Sequence, residues 1–222
     1  MLLAVDTSTA QIGLALYNSA QLNAESIWYS HQHHTVELAP ALADLLIRTG
    51  LSLNDVQALG VAIGPGSFTA LRVGLAFIKG LALARHIPII GIPTLDVLAC
   101  GLPPARLPLA AVLQAGRGRL ALGRYKFAKT GWKSSEEPQV LTVDELAESI
   151  DKPTLVAGEL TAEDRQRLAR KKVNVVLASP ALCVRRPAVL AELAWTRWQN
   201  GEVDEPAALA PIYLHLGNPI PA

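Results

Sequence analysis

The hydrophobic pattern of the first hundred residues predicts a mixed α/β unit. Short apolar runs around small polar turns predict an antiparallel meander of three strands. Apolar residues at helical spacing then alternate with short buried-strand runs. Gly50 marks the end of the first helix, and Pro40 lies near its start, where a missing N–H costs least. The predicted elements are strands at 2–6, 12–17 and 21–29, a helix at 35–49, a strand at 58–63, a helix at 69–85, a strand at 87–92 and a short helix from 94.

The second half of the chain predicts the same order of elements without any repeat in sequence. Thr142 with Glu145, and Thr161 with Asp164, have the spacing of capping boxes at two helix starts. A closing helix begins near Pro187 and ends before Gly201. The remaining predictions are strands at 109–113, 119–127, near 139–141, at 154–158 and at 173–178.

This duplicated order predicts the fold class. Three antiparallel strands followed by alternating helices and strands form a mixed sheet covered by helices. Two such units side by side are the plan of the actin-like (ASKHA) ATPases, an α/β fold of two ribonuclease-H-like lobes. Two unrelated α/β domains would give a similar string. The Pro-rich segment 101–108 favours lobes at 1–103 and 104–222, with the last helix packing back on the first lobe.

Composition narrows the class of protein. Half of the 222 residues are hydrophobic and 18% are charged, against about 25% charged in an average domain, which excludes a disordered chain. Cys100 and Cys183 are a distant pair, which excludes a disulfide framework and favours the reducing cytoplasm. No apolar run approaches about 18 residues, and the start lacks the basic residues of a signal peptide, so we expect no membrane association.

The charges are unevenly spread. Residues 1–96 hold ten charged residues and residues 97–222 hold 29, so the first lobe has either a large core or a surface covered by a partner. Residues 97–135 contain seven basic residues and no acid. That stretch is either a solvated hairpin face or an RNA-facing patch. Residues two positions apart on a strand share one face of the sheet, so two pairs of basic residues could each present their charges together. These candidates for RNA contact are Arg117 with Arg119, and Arg124 with Lys126.

Two loops have the composition of phosphate-binding turns. Asp6, Thr7 and Ser8 lie in the first hairpin turn, where backbone N–H groups and hydroxyls can bind phosphate and an acid can bind Mg²⁺ through water. Gly64, Gly66 and Ser67 join a buried strand to a helix N-terminus, which favours anions. The alternatives are an ordinary hairpin and an ordinary helix cap. The second loop is neither a Walker A motif nor a dinucleotide fingerprint.

No catalytic or metal-ligating set is evident. His31, His33 and His34 form a histidine cluster before a helix, with no Cys or carboxylate set nearby in sequence, so we expect an ordinary loop. No Ser-His-Asp or Cys-His arrangement can be assigned. We therefore predict no metal site and no catalytic residue.

Several long strings resemble one family closely. They are LLAVDTSTAQIGLAL, HTVELAPALADLL, LGVAIGPGSFTALRVGLAFIKGLALARHIPIIGIPTLDVLA and PIYLH. They resemble the TsaB (YeaZ) family, strongly over residues 1–100 and again at 211–215. The resemblance implies the two-lobed fold and a role as dimerisation subunit of the bacterial system that makes threonylcarbamoyladenosine beside the tRNA anticodon. It also implies a TsaD-like catalytic partner, a TsaE-like ATPase and tRNA held by the complex.

The departures from the family pattern bear on catalysis. The catalytic relative TsaD has two metal-binding His after the strand that corresponds to 87–92, whereas residues 92–98 here contain none. Gln114 stands where the family usually has Asp, and it cannot supply the charge that Mg²⁺ favours. His215 stands where the family has Arg. We expect no cofactor beyond weak residual ATP or ADP binding.

Two functions remain open. The first is a non-catalytic scaffold that pairs with a TsaD-like enzyme, or with itself when alone, through the apolar helices of the first lobe. The second is an ATP-dependent phosphotransferase or a free-standing metal-dependent transferase. The alternative is that these helices are buried core and contact no partner. The residues predicted for the partner interface are Leu38, Leu42, Leu45, Leu71, Leu75 and Ile78.

Overall fold

The computed structural model describes residues 1–30, 33–170 and 174–214, and the chain divides into two compact units. The first comprises residues 1–97 and 185–212. The second comprises residues 98–184 with Tyr213 and Leu214. The division falls inside the short helix at 94–100, whereas the sequence-based boundary lies in the Pro-rich loop that follows this helix.

The first unit is built on a five-stranded mixed sheet of order β3-β2-β1-β4-β5. β1 pairs antiparallel with β2 and parallel with β4, and β3 pairs antiparallel with β2. This confirms the predicted meander followed by parallel strands. The strands are β1 Leu2–Asp6, β2 Gln11–Tyr17, β3 Leu22–Tyr29, β4 Ala58–Ala62 and β5 Ile89–Ile92.

Helices cover both faces of this sheet. The helices α1 His34–Thr49 and α2 Phe68–Arg85 pack on the face that carries Leu3 and Val5. The helix α6 Pro187–Gln199 packs on the face that carries Leu2 and Ala4. Because both faces are buried, β1 is apolar at successive positions rather than at alternate ones. The short helix α3 Thr94–Cys100 follows β5.

The second unit repeats the sheet topology. Its order is β11-β10-β6-β7-β8, with β9 also pairing β7, so the first strand of its hairpin again lies between an antiparallel and a parallel neighbour. Both predicted capping boxes are present at its helix starts. The elements are β6 Leu109–Gln114, β7 Leu120–Ala128, β8 Gly131–Ser134, β9 Gln139–Leu141, α4 Val143–Ser149, β10 Thr154–Gly158, α5 Ala162–Ala169 and β11 Val175–Leu177.

One strand departs from the sequence-based prediction. The third strand was expected near Gln139–Leu141, but β8 comes first and forms the edge of the sheet next to β7. β8 has four residues, Gly-Trp-Lys-Ser, and therefore lacks the β-branched alternation that makes a strand visible in sequence.

Two composition-based expectations can be compared with the structure. Among the described residues, no helix combines the length and the apolar character needed to span a membrane. Cys100 and Cys183 are both free thiols.

Candidate functional site

The turn between β1 and β2 is buried, and its polar groups bond within the first unit. The backbone N–H of Ser8 donates to Asp6 Oδ1 at 2.8 Å, and Thr7 Oγ1 donates to the carbonyl of Ala70 at 2.8 Å. The hydroxyls of Ser8 and Thr94 lie 2.8 Å apart in a hydrogen bond. The turn is therefore ordered by the chain itself.

The loop 64–69 closes over this turn. The N–H of Ser67 donates to the carbonyl of Ser8 at 2.7 Å, and the N–H of Gly64 donates to Thr94 Oγ1 at 2.9 Å. A Cβ on Gly66 would lie 2.1 Å from the oxygen of Ser8, so glycine is required by this close approach. The structure thus brings the candidates Asp6, Thr7, Ser8, Gly64, Gly66 and Ser67 together.

A residue that sequence reasoning missed completes the turn. Arg185 is fully buried, and its Nε donates to Asp6 Oδ2 at 2.8 Å. One of its terminal nitrogens donates to Thr9 Oγ1 at 2.9 Å and to the carbonyl of Gln11 at 3.2 Å. The side-chain amide of Gln11 donates to the carbonyl of Arg185 at 2.6 Å. No local signal could have found this contact, because Asp6 and Arg185 are 179 residues apart.

The ion pair changes what the turn can do chemically. Each carboxylate oxygen of Asp6 accepts a hydrogen bond from the chain, one from Ser8 and one from Arg185. A hydrated cation at this carboxylate would meet the charge of the guanidinium at close range, a repulsion that is strong in a buried site. Asp6 is therefore the counter-ion of Arg185 rather than an open metal ligand. Among the described residues, no group of three His, Cys, Asp or Glu could hold a metal ion.

The two described members of the histidine cluster, His33 and His34, belong to no metal-ligand set. His34 is buried, and its Nε2 lies 2.9 Å from the carbonyl of Thr9. His33 is exposed and lies 4.0 Å from the carboxylate of Glu37. The indole N–H of Trp28 donates to that carboxylate and is the main cause that lowers the pKa of Glu37. His31 and His215 lie outside the described residues.

The six side chains predicted to contact a partner are core residues, and this prediction is wrong at the level of residues. None of them is more than 8% exposed, because the apolar stripe of each helix packs on the sheet. The correction applies to Leu38, Leu42, Leu45, Leu71, Leu75 and Ile78.

Other apolar side chains lie on the outside of the same helices. Val36 and Ile47 on α1 are 66% and 76% exposed, and Phe68 and Leu83 on α2 are 52% and 77% exposed. A groove of about 460 Å³ lies between the two helices and is lined mainly by α2. We call these four residues with the groove the outer helix face.

In the second unit, Gln114 ends the strand β6 and bonds to acids. Its N–H donates to Glu159 Oε2 at 3.1 Å, and its amide donates to the carbonyl of Glu159 at 3.1 Å and to Asp164 Oδ2 at 3.4 Å. The amide therefore serves as a donor between two acidic residues, a role that Asp could not fill.

The structure places one of the two predicted RNA-contact pairs on a shared strand face, because Arg124 and Lys126 lie two residues apart on β7. Arg117 lies in the β6–β7 turn at φ 53°, so it does not share a strand face with Arg119, contrary to the prediction. Arg124 lies on β7 but bonds to Ser149 at 2.8 Å and pairs with Glu136 at 3.4 Å. Lys126 is exposed near the opposite end of β7 from the turn.

Comparison with known proteins identifies the family. A family model described as "TsaD: tRNA N6-adenosine threonylcarbamoyltransferase" matches residues 29–186. The tRNA threonylcarbamoyladenosine biosynthesis protein TsaB of Bacillus subtilis (strain 168) is 30% identical over 220 residues, which cover 97% of this chain and 94% of that protein. The chain belongs to the TsaB (YeaZ) family.

A further relative and a solved structure support membership in the TsaB family. The TsaB protein of Escherichia coli (strain K12) is 34% identical over 143 residues, a match that spans 63% of this chain and 62% of that protein's length. The solved structure of YeaZ from Pseudomonas aeruginosa superposes with a TM-score of 0.80 at 26% identity, covering 96% of this chain and 99% of that one. The fold of this TsaB-family chain is thus the predicted pair of actin-like lobes.

Proposed function

We propose that this chain is a non-catalytic scaffold subunit of the machinery that makes threonylcarbamoyladenosine in tRNA, and that it pairs with a TsaD-like catalytic subunit. The observation that carries the proposal is the outer helix face. A relative that matches 97% of the chain is named for tRNA threonylcarbamoyladenosine biosynthesis, which supports the pathway. The outer helix face supports the proposed mode of action, which is binding to another protein.

The outer helix face has the properties of a protein interface. Its four apolar side chains are more than half exposed, although α1 and α2 already bury a full stripe against the sheet. Large apolar side chains left exposed beside a groove are typical of surfaces that a partner covers. Two helices meeting two helices of a related subunit would bury such a face. We expect the isolated chain to use the same face to form a homodimer.

The absence of catalysis in this chain is supported by the ion pair of Asp6 and Arg185. The acid that would face Mg²⁺ in an actin-like nucleotide site is instead bonded to a buried guanidinium. In this proposal the TsaD-like partner catalyses the reaction. A TsaE-like ATPase and the tRNA would be partners of the assembled complex rather than of an active site in this chain, and the chain itself would need no cofactor.

Co-purification with a TsaD-like protein tests the scaffold role. The double substitution Ile47→Asp and Leu83→Asp places charges on the outer helix face without touching the core. We expect it to abolish co-elution while circular dichroism and the melting temperature stay close to wild type. The matched control is Leu182→Asp with Val203→Asp, two exposed apolar residues elsewhere, which should leave co-elution intact. Undiminished co-elution of the first variant would contradict the proposal.

A calorimetric titration with Mg²⁺ and ATP tests the absence of catalysis. We expect weak binding or none by the isolated chain, and no turnover. Tight, Mg²⁺-dependent binding with product formation would support a phosphotransferase or a free-standing transferase instead.

A further inference from the structure

Three exposed lysines lie on the hairpin formed by β7 and β8, which we call the lysine hairpin (residues 126–133). Lys126 and Lys133 are direct cross-strand partners in the antiparallel ladder, so their side chains leave the sheet on the same face. Lys129 lies at the connecting turn. The hairpin itself contains no acid.

The pairing of Lys126 with Lys133 is unfavourable by itself. Like charges directly opposite one another destabilise an antiparallel pair of strands. Within the described ranges, no ion pair neutralises any of the three lysines, and Glu136, the acid nearest along the chain, pairs with Arg124 instead. A feature that costs stability and lacks an internal counter-ion fits an anion that comes from another molecule.

The hairpin is held firmly, so the lysines project from an ordered ribbon. Phe127 and Trp132, the next cross-strand pair, pack edge to face with their ring centres 5.3 Å apart. Trp132 is 5% exposed, and its indole N–H donates to the carbonyl of Leu102 at 3.1 Å. The aromatic face thus attaches the hairpin to its unit and leaves the lysine face outside.

We propose that the lysine hairpin binds the phosphate backbone of RNA without reading its sequence. Lysines are compact point charges on flexible stems, which suit phosphate contacts rather than the planar recognition of a base. An acidic protein partner would need an apolar residue at the centre of its contact. Phe127 and Trp132 leave the sheet on the face opposite to Lys126 and Lys133, so the lysine face has no such residue between its two paired lysines. That the RNA is a tRNA held by the modification complex rests on the proposed function.

The lysine hairpin lies inside the basic stretch 97–135 that the sequence analysis offered as an RNA-facing patch. Of the four residues named there for RNA contact it keeps only Lys126, because Arg124 is paired internally and Arg117 and Arg119 lie at the other end of β7. Lys129 in the turn and Lys133 on β8 complete it.

Fluorescence anisotropy with labelled tRNA over a range of salt concentrations tests the proposal. The full chain is measured both alone and in complex with a TsaD-like protein. We expect Lys126→Glu with Lys133→Glu to weaken binding about tenfold and to reduce the slope of log affinity against log salt by about 1.5, the loss of two phosphate contacts. Lys126→Arg with Lys133→Arg should retain both values.

A matched control carries the same change of charge elsewhere on the second unit. Lys152→Glu with Arg170→Glu alters two exposed basic residues and should change affinity by less than about twofold. A second variant separates a loss of RNA binding from a loss of folding. Lys126→Glu alone creates an ion pair with Lys133, so it should raise the melting temperature by about 1–3 °C while it lowers the affinity for RNA.

Several results would overturn the proposal. They are no tRNA binding by wild type in either form, unchanged affinity and salt slope in the double glutamate variant, and binding of poly-glutamate that is as tight as that of tRNA and depends on the same lysines. If wild type fails to assemble with the TsaD-like protein, the proposed function fails, while the measurements on the isolated chain still decide whether the lysine hairpin binds RNA.

Discussion

The first hairpin turn of each unit occupies the same place in the same strand order, yet the two turns have opposite characters. The turn after β1, residues 6–9, is buried at every position. The turn after β6, residues 115–118, is exposed and has positive φ at Gly116, Arg117 and Gly118. Its hydrogen bonds are local, with the N–H of Ala115 donating to the carbonyl of Arg119.

The difference shows that topology alone does not set the chemistry of a turn. The buried turn is closed by groups that arrive from elsewhere: Ser67 from the loop before α2, Thr94 from α3 and Arg185 from the returning segment. Within the described part of the chain, no buried guanidinium closes the exposed turn. The side-chain amide of Gln114 at its start donates to the carbonyl of Glu159 and to the carboxylate of Asp164. The same fold can therefore carry a turn closed by an ion pair and an open one.

The largest expected effect comes from removing the guanidinium that closes the buried turn. Arg185→Met leaves the charge of Asp6 buried without its partner, so we expect the free energy of unfolding to fall by about 3–5 kcal/mol. Urea denaturation followed by circular dichroism measures this loss. Arg117→Met in the exposed turn should change it by less than about 0.5 kcal/mol.

The double variant Asp6→Asn with Arg185→Met separates the buried charge from lost packing. It removes both charges, so it should be more stable than Arg185→Met alone. Equal stability of the two variants would show that Asp6 does not depend on the ion pair.

The elements with strong periodicity were predictable from sequence, and those with short or mixed patterns were not. The helices α1, α2 and α6 lie within about a residue of their predicted starts, because apolar residues recur at helical spacing and because Gly50, Pro187 and Gly201 lie at helix boundaries. The strand β8 was missed because its four residues include Gly, Lys and Ser. Its partner β7 has a nine-residue run that begins with apolar residues.

The candidate site was predictable only in its local parts. The hairpin turn and the loop 64–69 carry small polar and glycine residues whose clustering is visible in sequence. Arg185 lies in a segment, VRRP, that resembles any solvated linker, and only the fold brings it to Asp6.

The residues predicted for the partner interface were misplaced for a related reason. A strong helical stripe identifies the buried face, so an outer surface has to be sought among the residues that interrupt it.

An intermediate effect on the free energy of unfolding is expected when a methyl group is added to a glycine in the closely packed buried turn rather than to one in the exposed turn. A Cβ on Gly66 would lie 2.1 Å from the oxygen of Ser8, and the backbone must move to make room. We expect Gly66→Ala to cost about 2–3 kcal/mol, in the upper part of the range for overpacking, because the new Cβ meets backbone. Gly116→Ala has no atom within 4 Å of the new Cβ and should cost about 1 kcal/mol, from its φ of 77° alone. Thermal or urea unfolding measures both, and equal costs would contradict the assigned contact.

The smallest expected effect is the pH dependence of stability that comes from Glu145, which lies near Arg119 at the end of the exposed turn. Hydrogen bonds from Thr142, first from its N–H and then from its hydroxyl, lower the pKa of Glu145, with a smaller contribution from the charge of Arg119. Because the folded pKa lies below the unfolded value, the stabilisation is present above the unfolded pKa and is lost as pH falls through the folded one. Glu145→Gln should therefore lower the melting temperature slightly near pH 7 and approach wild type at low pH. A difference that is constant with pH would contradict this.

The return of residues 185–212 to the first unit has a consequence for synthesis. The second unit is formed by an almost continuous stretch, 98–184, and this stretch leaves the ribosome before α6 does. Until then one face of the first sheet lacks Leu190, Ala191 and Ala194, and Asp6 lacks Arg185. Domains usually fold in the order in which they are translated. In this chain the unit that is translated first is completed only after residues 98–184 have been made, so one face of its sheet stays uncovered while most of the second unit is synthesised.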